Sequence, residues 1–396
     1  MPFATRDPLL GGNTASALLA SGAASNAWRT GFIASVLLCA GCGGNNSSMT
    51  AGNPKPATAS MAFTMTNTTA GNAVQTYLRS SDGTLVKFES LPTGGIGVGH
   101  GLENQGALAL SHDGKFLYVV NPGSNDLTVF ALVGTSLQFT DRVPSGGTLP
   151  ISVAEWNGIV YVLNRNASSG PGSGPKIQGF QVSTSGILSP IAGSEIALRA
   201  ADSNAAQIGI SPDGLWIVVT EHGINQIDVV PLDQNHVPGT PHGAASAGSG
   251  PFGFAFSDAA RLYVSEAGAG TTSAYDVDSQ GLLHALSAAV PTQQRATCWV
   301  VITPDNNLAY VSNTASSSLS SYRIGQDGTL TRLISVAATT TGKPLDVMVS
   351  ADGNYLSALT TEGSIETFRI DATSGSLTSI QTVSGLPSGT NGLTGR

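Results

Sequence analysis

The sequence has 396 residues, a net charge of −8 and only 11% charged residues, against about 25% in a typical soluble protein. Binding to a phosphate backbone needs concentrated positive charge, and no cluster of Lys and Arg occurs, so these numbers argue against a nucleic-acid partner. The 49 glycines favour many short strands joined by turns.

The N-terminal segment, residues 1–41, is predicted to be a signal peptide. Arg29 precedes the apolar run GFIASVLL, which is too short to span a bilayer. Ala40 and Gly41 before Cys42 resemble the bacterial lipobox, in which the cysteine is lipidated and becomes the mature N-terminus. The alternative is an ordinary signal peptide cut near Gly41. Both readings predict an extracytoplasmic protein, either lipid-anchored to a bacterial membrane through Cys42 or periplasmic.

Residues 42–58 are predicted to be a flexible tether, because they are rich in Gly, Asn, Ser and Pro. A mature chain that starts at Cys42 keeps one other cysteine, Cys298. An internal disulfide is then excluded, so the hydrophobic core must supply the stability. Residues 59–396 are predicted to form one domain.

A repeat runs through that domain. Each copy has a turn, an apolar run and a closing polar residue, as in SPDGLWIVVTE at 211–221. The closing residues are Asn121, Asn164, Glu221, Glu266, Asn313 and Thr360. They are 43, 57, 45, 47 and 47 positions apart, and a period in the forties with several short strands per unit predicts a β-propeller.

The repeats predict an all-β, seven-bladed propeller. A second recurring turn, such as SSDGTLVKF at 80–88, marks the hairpin between the third and fourth strands of a blade. Blades two to seven are predicted to begin near residues 107, 150, 205, 251, 298 and 344. Blade one has strands at 61–67 and 74–90 but lacks its first strand. The C-terminal segment 385–396 is predicted to supply that strand, which closes the ring and removes two exposed sheet edges.

The closing residues are predicted to form a ring on one face of the propeller, because equivalent positions lie at the same height; Asn67 belongs to it from blade one. Glu221 and Glu266 are neighbours in this ring. Two close carboxylates have separated pKa values, which suits general base chemistry. The alternative is structural, with asparagines that cap turns and solvated glutamates. The oxygens could also hold a divalent cation such as calcium, but no Asp-rich loop supports this, so no cofactor is predicted.

The sequence resembles the seven-bladed propeller lactonases, which include propeller-type 6-phosphogluconolactonases and carboxymuconate cyclases. The resemblance covers roughly residues 60–396 and rests on the S-P-D-G-x-x-x-Y-V-x-N units, the D-G-x-L hairpins and GPFGFAF at 250–256. In that family a His, two Arg and a Glu line one face of the channel. By repeat register, the resemblance puts the Glu at Glu266 and one Arg at Arg295. Phe252 stands at the second Arg position, and no His stands at the fourth.

The resemblance implies lactone hydrolysis at the channel mouth, with Glu266 as general base, Glu221 tuning its pKa and Arg295 stabilising the oxyanion. Trp299 either packs between blades or stacks on the ligand. Further predicted ligand contacts are Asn121, Asn164 and Asn313. The expected partner is a small lactone or carbohydrate-like molecule, and the chain is expected to be a monomer. The alternative is a non-catalytic propeller that binds a sugar, a peptide or an envelope protein through the same face.

The remaining candidates are predicted to be structural. The six histidines, among them His222, have no metal-binding spacing and are expected to be structural or solvated. Cys298 is expected to be a small buried hydrophobe and not a nucleophile.

Overall fold

The computed structural model describes residues 60–166, 174–198, 200 and 203–396. The predicted signal peptide, the lipidation site Cys42 and the whole of the predicted tether lie outside these residues. Within them, no helix has the length and apolar character needed to cross a membrane.

The described residues form seven antiparallel sheets arranged as the blades of a propeller. The first three blades contain β1 (Met61–Met65), β2 (Ala73–Arg79), β3 (Leu85–Pro92), β4 (Leu108–Leu110), β5 (Phe116–Asn121), β6 (Asp126–Val133), β7 (Ser136–Pro144), β8 (Pro150–Trp156), β9 (Ile159–Asn164), β10 (Lys176–Val182), β11 (Leu188–Pro190) and β12 (Ile196–Ala197). Strand β12 pairs with β10, so blade three has five strands.

The other blades have four strands each. Blades four to seven contain β13 (Ala205–Ile210), β14 (Trp216–Glu221), β15 (Gln226–Pro231), β16 (His242–Ala245), β17 (Pro251–Phe256), β18 (Leu262–Glu266), β19 (Thr271–Val277), β20 (Leu283–Pro291), β21 (Thr297–Ile302), β22 (Leu308–Asn313), β23 (Ser318–Ile324), β24 (Leu330–Thr339), β25 (Pro344–Val349), β26 (Tyr355–Thr360), β27 (Ser364–Ile370) and β28 (Leu377–Ser384). Short 3₁₀ turns, His222–Ile224 and Thr314–Ser316, follow β14 and β22.

The core lies between the blades. The second strands, such as β9 and β14, are buried along their whole length, because a neighbouring blade covers each face. The outermost strands, such as β3, are mostly exposed. This layering explains why the second strand of a blade is a nearly continuous apolar run and why the fourth strand is polar.

The ring is closed by the C-terminal strand β29 (Asn391–Gly395), which pairs antiparallel with β1 and completes blade one. The backbone N–H of Met61 donates to the carbonyl of Arg396 at 2.9 Å, and the N–H of Arg396 donates back at 3.0 Å. The predicted seven-bladed architecture and its closure by the C-terminal segment are therefore confirmed.

Candidate functional site

A central channel runs along the innermost strand of each blade. The innermost strands are β29, β4, β8, β13, β17, β21 and β25. We call the end of the channel where these strands begin the mouth. The second strands end at this same face, because their last residues pair with the first residues of the innermost strands, as Glu266 pairs with Pro251.

A segment before β4, residues 102–106, lies in the channel below the mouth; we call it the plug. The side chain of Gln105 makes two hydrogen bonds to the backbone of Val300, in blade six, at 2.9 and 3.2 Å. Its backbone N–H donates to the carbonyl of Ala206, in blade four, at 3.2 Å. A Cβ on Gly253 would lie 2.1 Å from Oε1 of Gln105, so only glycine at this position leaves room for the Gln105 side chain.

Arg165 holds the plug from blade three. Its Nη2 donates to the carbonyl of Glu103 at 2.8 Å and to that of Ala205 at 3.0 Å, and its Nε donates to Ala205 at 3.3 Å. These bonds engage Nε and Nη2 and not Nη1. Burial lowers the pKa of Arg165, and the nearby negative charge of Glu103 opposes that shift. A guanidinium cation therefore lies at the mouth.

An aromatic cluster forms the other side of the mouth. The ring of Phe252 lies edge-on to His222, with centroids 5.8 Å apart, and to Trp299, at 5.2 Å. Nε1 of Trp299 donates to the carbonyl of Asn104 in the plug at 2.8 Å. Nδ1 of His222 has no hydrogen-bond partner among the described residues. The mouth thus combines a half-buried imidazole with an apolar wall.

Cys298 lies in the same region, 7% exposed. Burial raises the pKa of its thiol to about 11, and the charge of Glu103 adds to the rise. The thiol is therefore protonated at neutral pH, and a thiol is a weak nucleophile compared with a thiolate.

Glu266 is fully buried, one strand outward from the mouth. Its Oε1 accepts hydrogen bonds from Ser246 Oγ at 2.9 Å, the Gly248 N–H at 2.7 Å and Ser273 Oγ at 2.6 Å, and its Oε2 accepts one from Thr271 Oγ1. Ser246 and Gly248 belong to the segment that joins blade four to blade five. Glu266 therefore fastens that segment to its own blade.

The asparagines of the predicted ring make the same kind of contact. Oδ1 of Asn164 accepts from Ser145 Oγ at 2.6 Å, and Oδ1 of Asn121 accepts from Thr93 Oγ1 at 2.7 Å. Asn121, Asn164, Asn313 and Glu221 are all fully buried. The structure thus places the ring residues between the channel-lining strands and the outer strands, while the mouth itself lies one strand further in.

Two predicted site residues, Arg295 and Trp299, do not belong to the ring of closing residues. Arg295 is exposed and contacts Ser316 through its backbone N–H, at 3.0 Å. Trp299 is 4% exposed and lies at the mouth as described above. The catalytic and ligand-binding roles predicted for the ring residues and Arg295 stay predictions, and none of the fully buried ring side chains presents surface to the mouth.

The other end of the channel forms a cavity of about 340 Å³ below the plug. Gln105, Gln207 and Asp346 supply polar groups to its lining, and Phe254 and Met348 are among the apolar ones. Oδ1 of Asp346 accepts from its neighbour's N–H, and Oδ2 accepts from a backbone N–H of β29 at 2.9 Å. Burial raises the pKa of Asp346 to about 8.

Metal ligation has little support in the described residues, which contain no group of three or more His, Cys, Asp and Glu side chains arranged to hold an ion. The buried oxygens around Glu266 are already occupied by protein donors.

Sequence reasoning missed Arg165 and His222 as members of one site. Each directly follows the closing residue of a second strand, Asn164 or Glu221, and this is the signal that would have found them. The closing residue itself points between strands, and the next residue is carried to the mouth. The plug had no such signal, because residues 102–106 have no counterpart in the repeat.

The comparisons agree with this architecture. The family model described as "Lactonase, 7-bladed beta-propeller" matches residues 59–170 and 189–391. A protein from Bacteroides fragilis proposed to be a 6-phosphogluconolactonase has a TM-score of 0.68 at 20% identity, over 87% of this chain and 100% of that one.

Two further solved structures share the fold. A periplasmic gluconolactonase from Pseudomonas aeruginosa has a TM-score of 0.68 at 16% identity, over 85% of this chain and 99% of that one. A protein from Lactobacillus plantarum has a TM-score of 0.70 at 17% identity, with the same coverage of 85% and 99%. No curated protein matches the chain.

Proposed function

The chain belongs to the family of seven-bladed β-propeller lactonases, and from this premise we propose that it hydrolyses a lactone ring at the mouth of its channel. Ester hydrolysis needs a base to activate water and a positive group for the charge that develops on the carbonyl oxygen. The observation that carries the proposal is that a guanidinium, Arg165, and a partly exposed imidazole, His222, both lie at this mouth: Arg165 bonds to the carbonyl of Ala205, and Ala205 pairs with Glu221, the residue before His222.

In this proposal each mouth residue has one role. His222 takes a proton from the attacking water through Nε2, because Nδ1 is buried and histidine is the side chain most often used for proton transfer near neutral pH. Nη1 of Arg165 donates to the oxyanion, while the bonds of Nε and Nη2 to backbone carbonyls keep the guanidinium fixed. Such preorganisation is what makes a fixed donor effective in the transition state. Phe252 and Trp299 form an apolar wall for the ring.

The test is turnover of a lactone panel by the purified protein, followed as acid release in a pH-stat. Arg165→Gln is expected to lower kcat about 10²-fold or more, as loss of an oxyanion donor does. His222→Gln is expected to lower kcat by a similar factor. Arg295→Gln is the matched control, because it removes an exposed arginine and is expected to leave kcat unchanged.

Glu266→Gln separates the two catalytic assignments. If Glu266 is the general base predicted from the sequence, this variant abolishes turnover of a folded protein. If His222 has that role, the variant keeps its kcat and unfolds at a lower temperature, because the buried carboxylate holds four donors. Unchanged kcat in both Arg165→Gln and His222→Gln would contradict the proposed mechanism.

A second candidate function is ligand binding without catalysis. It is favoured by the bonds of Arg165 to the plug, which give that residue a structural use independent of any reaction. A protein of this kind would hold a sugar, a peptide or an envelope protein at the mouth. Absence of turnover over the whole lactone panel, together with a ligand that raises the melting temperature of the protein but not of Arg165→Gln, would support it.

We also propose that the mature protein works outside the cytoplasm, anchored by a lipid on Cys42. Support comes from Arg29, the apolar run and the small residues before Cys42. Cells expressing the protein and fed a labelled fatty acid should incorporate label into it, and Cys42→Ala should not be labelled. Equal labelling of both forms, or recovery of the uncleaved chain in the cytosol, would refute this.

A further inference from the structure

Glu103 is the only charged residue of the plug, and its backbone is strained. Its φ is +50°, in the left-handed region that Gly and Asn adopt more readily than a residue with a long side chain. Strained conformations persist where the surrounding structure imposes them, and they are frequent at ligand sites. The conformation of Glu103 must therefore be imposed by its neighbours.

Both neighbours of Glu103 are buried and held by hydrogen bonds. The N–H of Leu102 donates to Oδ1 of Asn391 at 3.0 Å, and the carbonyl of Asn104 accepts from Nε1 of Trp299 at 2.8 Å. Leu102 is 2% exposed and Asn104 is fully buried, whereas Glu103 is exposed. The plug is thus bent so that a single carboxylate side chain leaves the packed channel.

This side chain leaves the plug on the side of the mouth. Glu103 is not among the described residues that line the cavity below the plug, although Gln105 and Gly106 are. Its carbonyl accepts from Nη2 of Arg165, in blade three, at 2.8 Å. Burial lowers the pKa of Arg165 and raises that of Cys298, in blade six, and the negative charge of Glu103 opposes the first shift and adds to the second. The carboxylate therefore acts on both sides of the mouth.

The mouth thus offers a ligand one fixed cation with one anion beside it. Nε and Nη2 of Arg165 already bond to backbone carbonyls, which leaves Nη1 for a ligand oxygen. A phosphate is held best by a bidentate guanidinium or by several cations, and the Glu103 carboxylate repels it. A neutral hydroxylated ring fits better, since its carbonyl oxygen accepts from Arg165 and a ring hydroxyl donates to Glu103.

We propose that Glu103 is a specificity-determining residue, which makes the mouth favour uncharged, hydroxylated lactones over phosphorylated or carboxylated ones. This inference rests on the lactone hydrolysis proposed above and adds the class of substrate. Glu103 binds a hydroxyl of the ring and takes no part in proton transfer, which belongs to His222. A phosphate group on the substrate brings a like charge to this carboxylate and weakens binding.

The test compares kcat/KM of the purified protein for D-glucono-δ-lactone and for its 6-phosphate. The neutral lactone is expected to be preferred by roughly tenfold or more, as one like-charge contact near a protein surface allows. Glu103→Gln keeps the size of the side chain and removes its charge. It should lower kcat/KM for the neutral lactone about threefold and raise that for the phosphate about threefold. A merely structural role of Glu103 would lower both values.

Glu362→Gln is the matched control, because Glu362 is an exposed glutamate in the turn after β26, at the same face of the propeller. Its preference for the neutral lactone should equal that of the unaltered protein. A higher ionic strength should raise kcat/KM for the phosphate more in the unaltered protein than in Glu103→Gln, because salt screens the repulsion between exposed like charges.

Calorimetric binding of D-glucono-δ-lactam and its 6-phosphate, which the mouth cannot hydrolyse as lactones, separates this inference from the proposed hydrolysis. Selective binding of the neutral lactam without turnover of any lactone would contradict the hydrolysis and support the selectivity. Equal kcat/KM for the two lactones, or an unchanged preference in Glu103→Gln, would contradict the selectivity and leave the hydrolysis standing. A protein that neither binds the lactams nor acts on the two lactones would also overturn the selectivity.

Discussion

In blades two and five the closing residue of the second strand matches the groups that face it. In blade two, Nδ2 of Asn121 donates to Oδ1 of Asp126 at 2.6 Å and to Oγ1 of Thr128 at 2.8 Å. In blade five the equivalent neighbours are the hydroxyls of Thr271 and Ser273, which act as donors to Glu266. In these two blades an amide matches a neighbouring carboxylate and a carboxylate matches two hydroxyls, so the buried closing residue is satisfied. Asn313 in blade six faces two hydroxyls instead, those of Ser318 and Ser320.

Asp346 makes the stability of the protein depend on pH in an unusual direction. Burial raises its pKa to about 8 in the folded state, while an aspartate in an unfolded chain titrates near 3.9. Between these two values the folded state binds one proton more than the unfolded state. The contribution of Asp346 to stability is therefore greatest below about pH 4 and falls as the pH rises towards 8, by at most about 1.4 kcal/mol per pH unit.

Urea unfolding at pH 5 and pH 8 checks this. The free energy of unfolding should fall more between these pH values for the unaltered protein than for Asp346→Asn, whatever the absolute stability of the variant. Asp82→Asn is the control: hydrogen bonds from Thr84 lower the pKa of Asp82, so that residue is ionised in both states over this range and its replacement should leave the pH dependence unchanged. Equal pH dependence in the unaltered protein and Asp346→Asn would contradict the assignment.

At the scale of the strands, the repeat predicted the blades closely. Each of the six second strands from β5 to β26 ends at the closing residue read from the sequence, and β8, β13, β17 and β25 begin at the predicted blade starts. This accuracy has a physical cause: each blade covers its neighbours in the same way, so the same apolar run and the same turn recur. The prediction used only local sequence patterns, and every blade repeats the local interactions that those patterns reflect.

The candidate site could not be predicted in the same way, because it depends on departures from the repeat. The plug is a single irregular segment, and it explains why β4 has only three residues where β13 and β17 have six. Its contacts with Val300 and Ala206 join residues far apart in the sequence. Arg165 and His222 become neighbours of one mouth only after the ring has closed. The family resemblance indicated the correct fold, but not these residues.

At the scale of the whole molecule, stability depends on β29, because a propeller without its closing strand has a gap in blade one. Thr64 Oγ1 donates to the carbonyl of Gly392 at 2.6 Å, and Ser60 Oγ donates to that of Arg396 at 2.8 Å. The N–H of Leu393 meets Asp346 across the junction with blade seven. The strand therefore links the first blade to the last, and every blade is held in place through that link.

Deletion of residues 391–396 is expected to remove more than about 5 kcal/mol of stability, which is the lower end of the total for a typical protein. The estimate follows from several backbone and side-chain hydrogen bonds at about 1 kcal/mol each and the burial of Leu393 at about 2 kcal/mol, together with the exposure of the inner edge of β1. Thermal unfolding and limited proteolysis should show loss of the cooperative transition, and a synthetic peptide of residues 385–396 should partly restore it.

Arg396→Ala is the control for this deletion. It keeps β29 and removes only the side-chain bonds of Arg396 to the carbonyls of Gly114 and Gly134, so its transition should stay cooperative. A truncated protein that melts at the temperature of the unaltered one would show that the ring is held by the lateral packing of the blades, and not by exchange of the last strand.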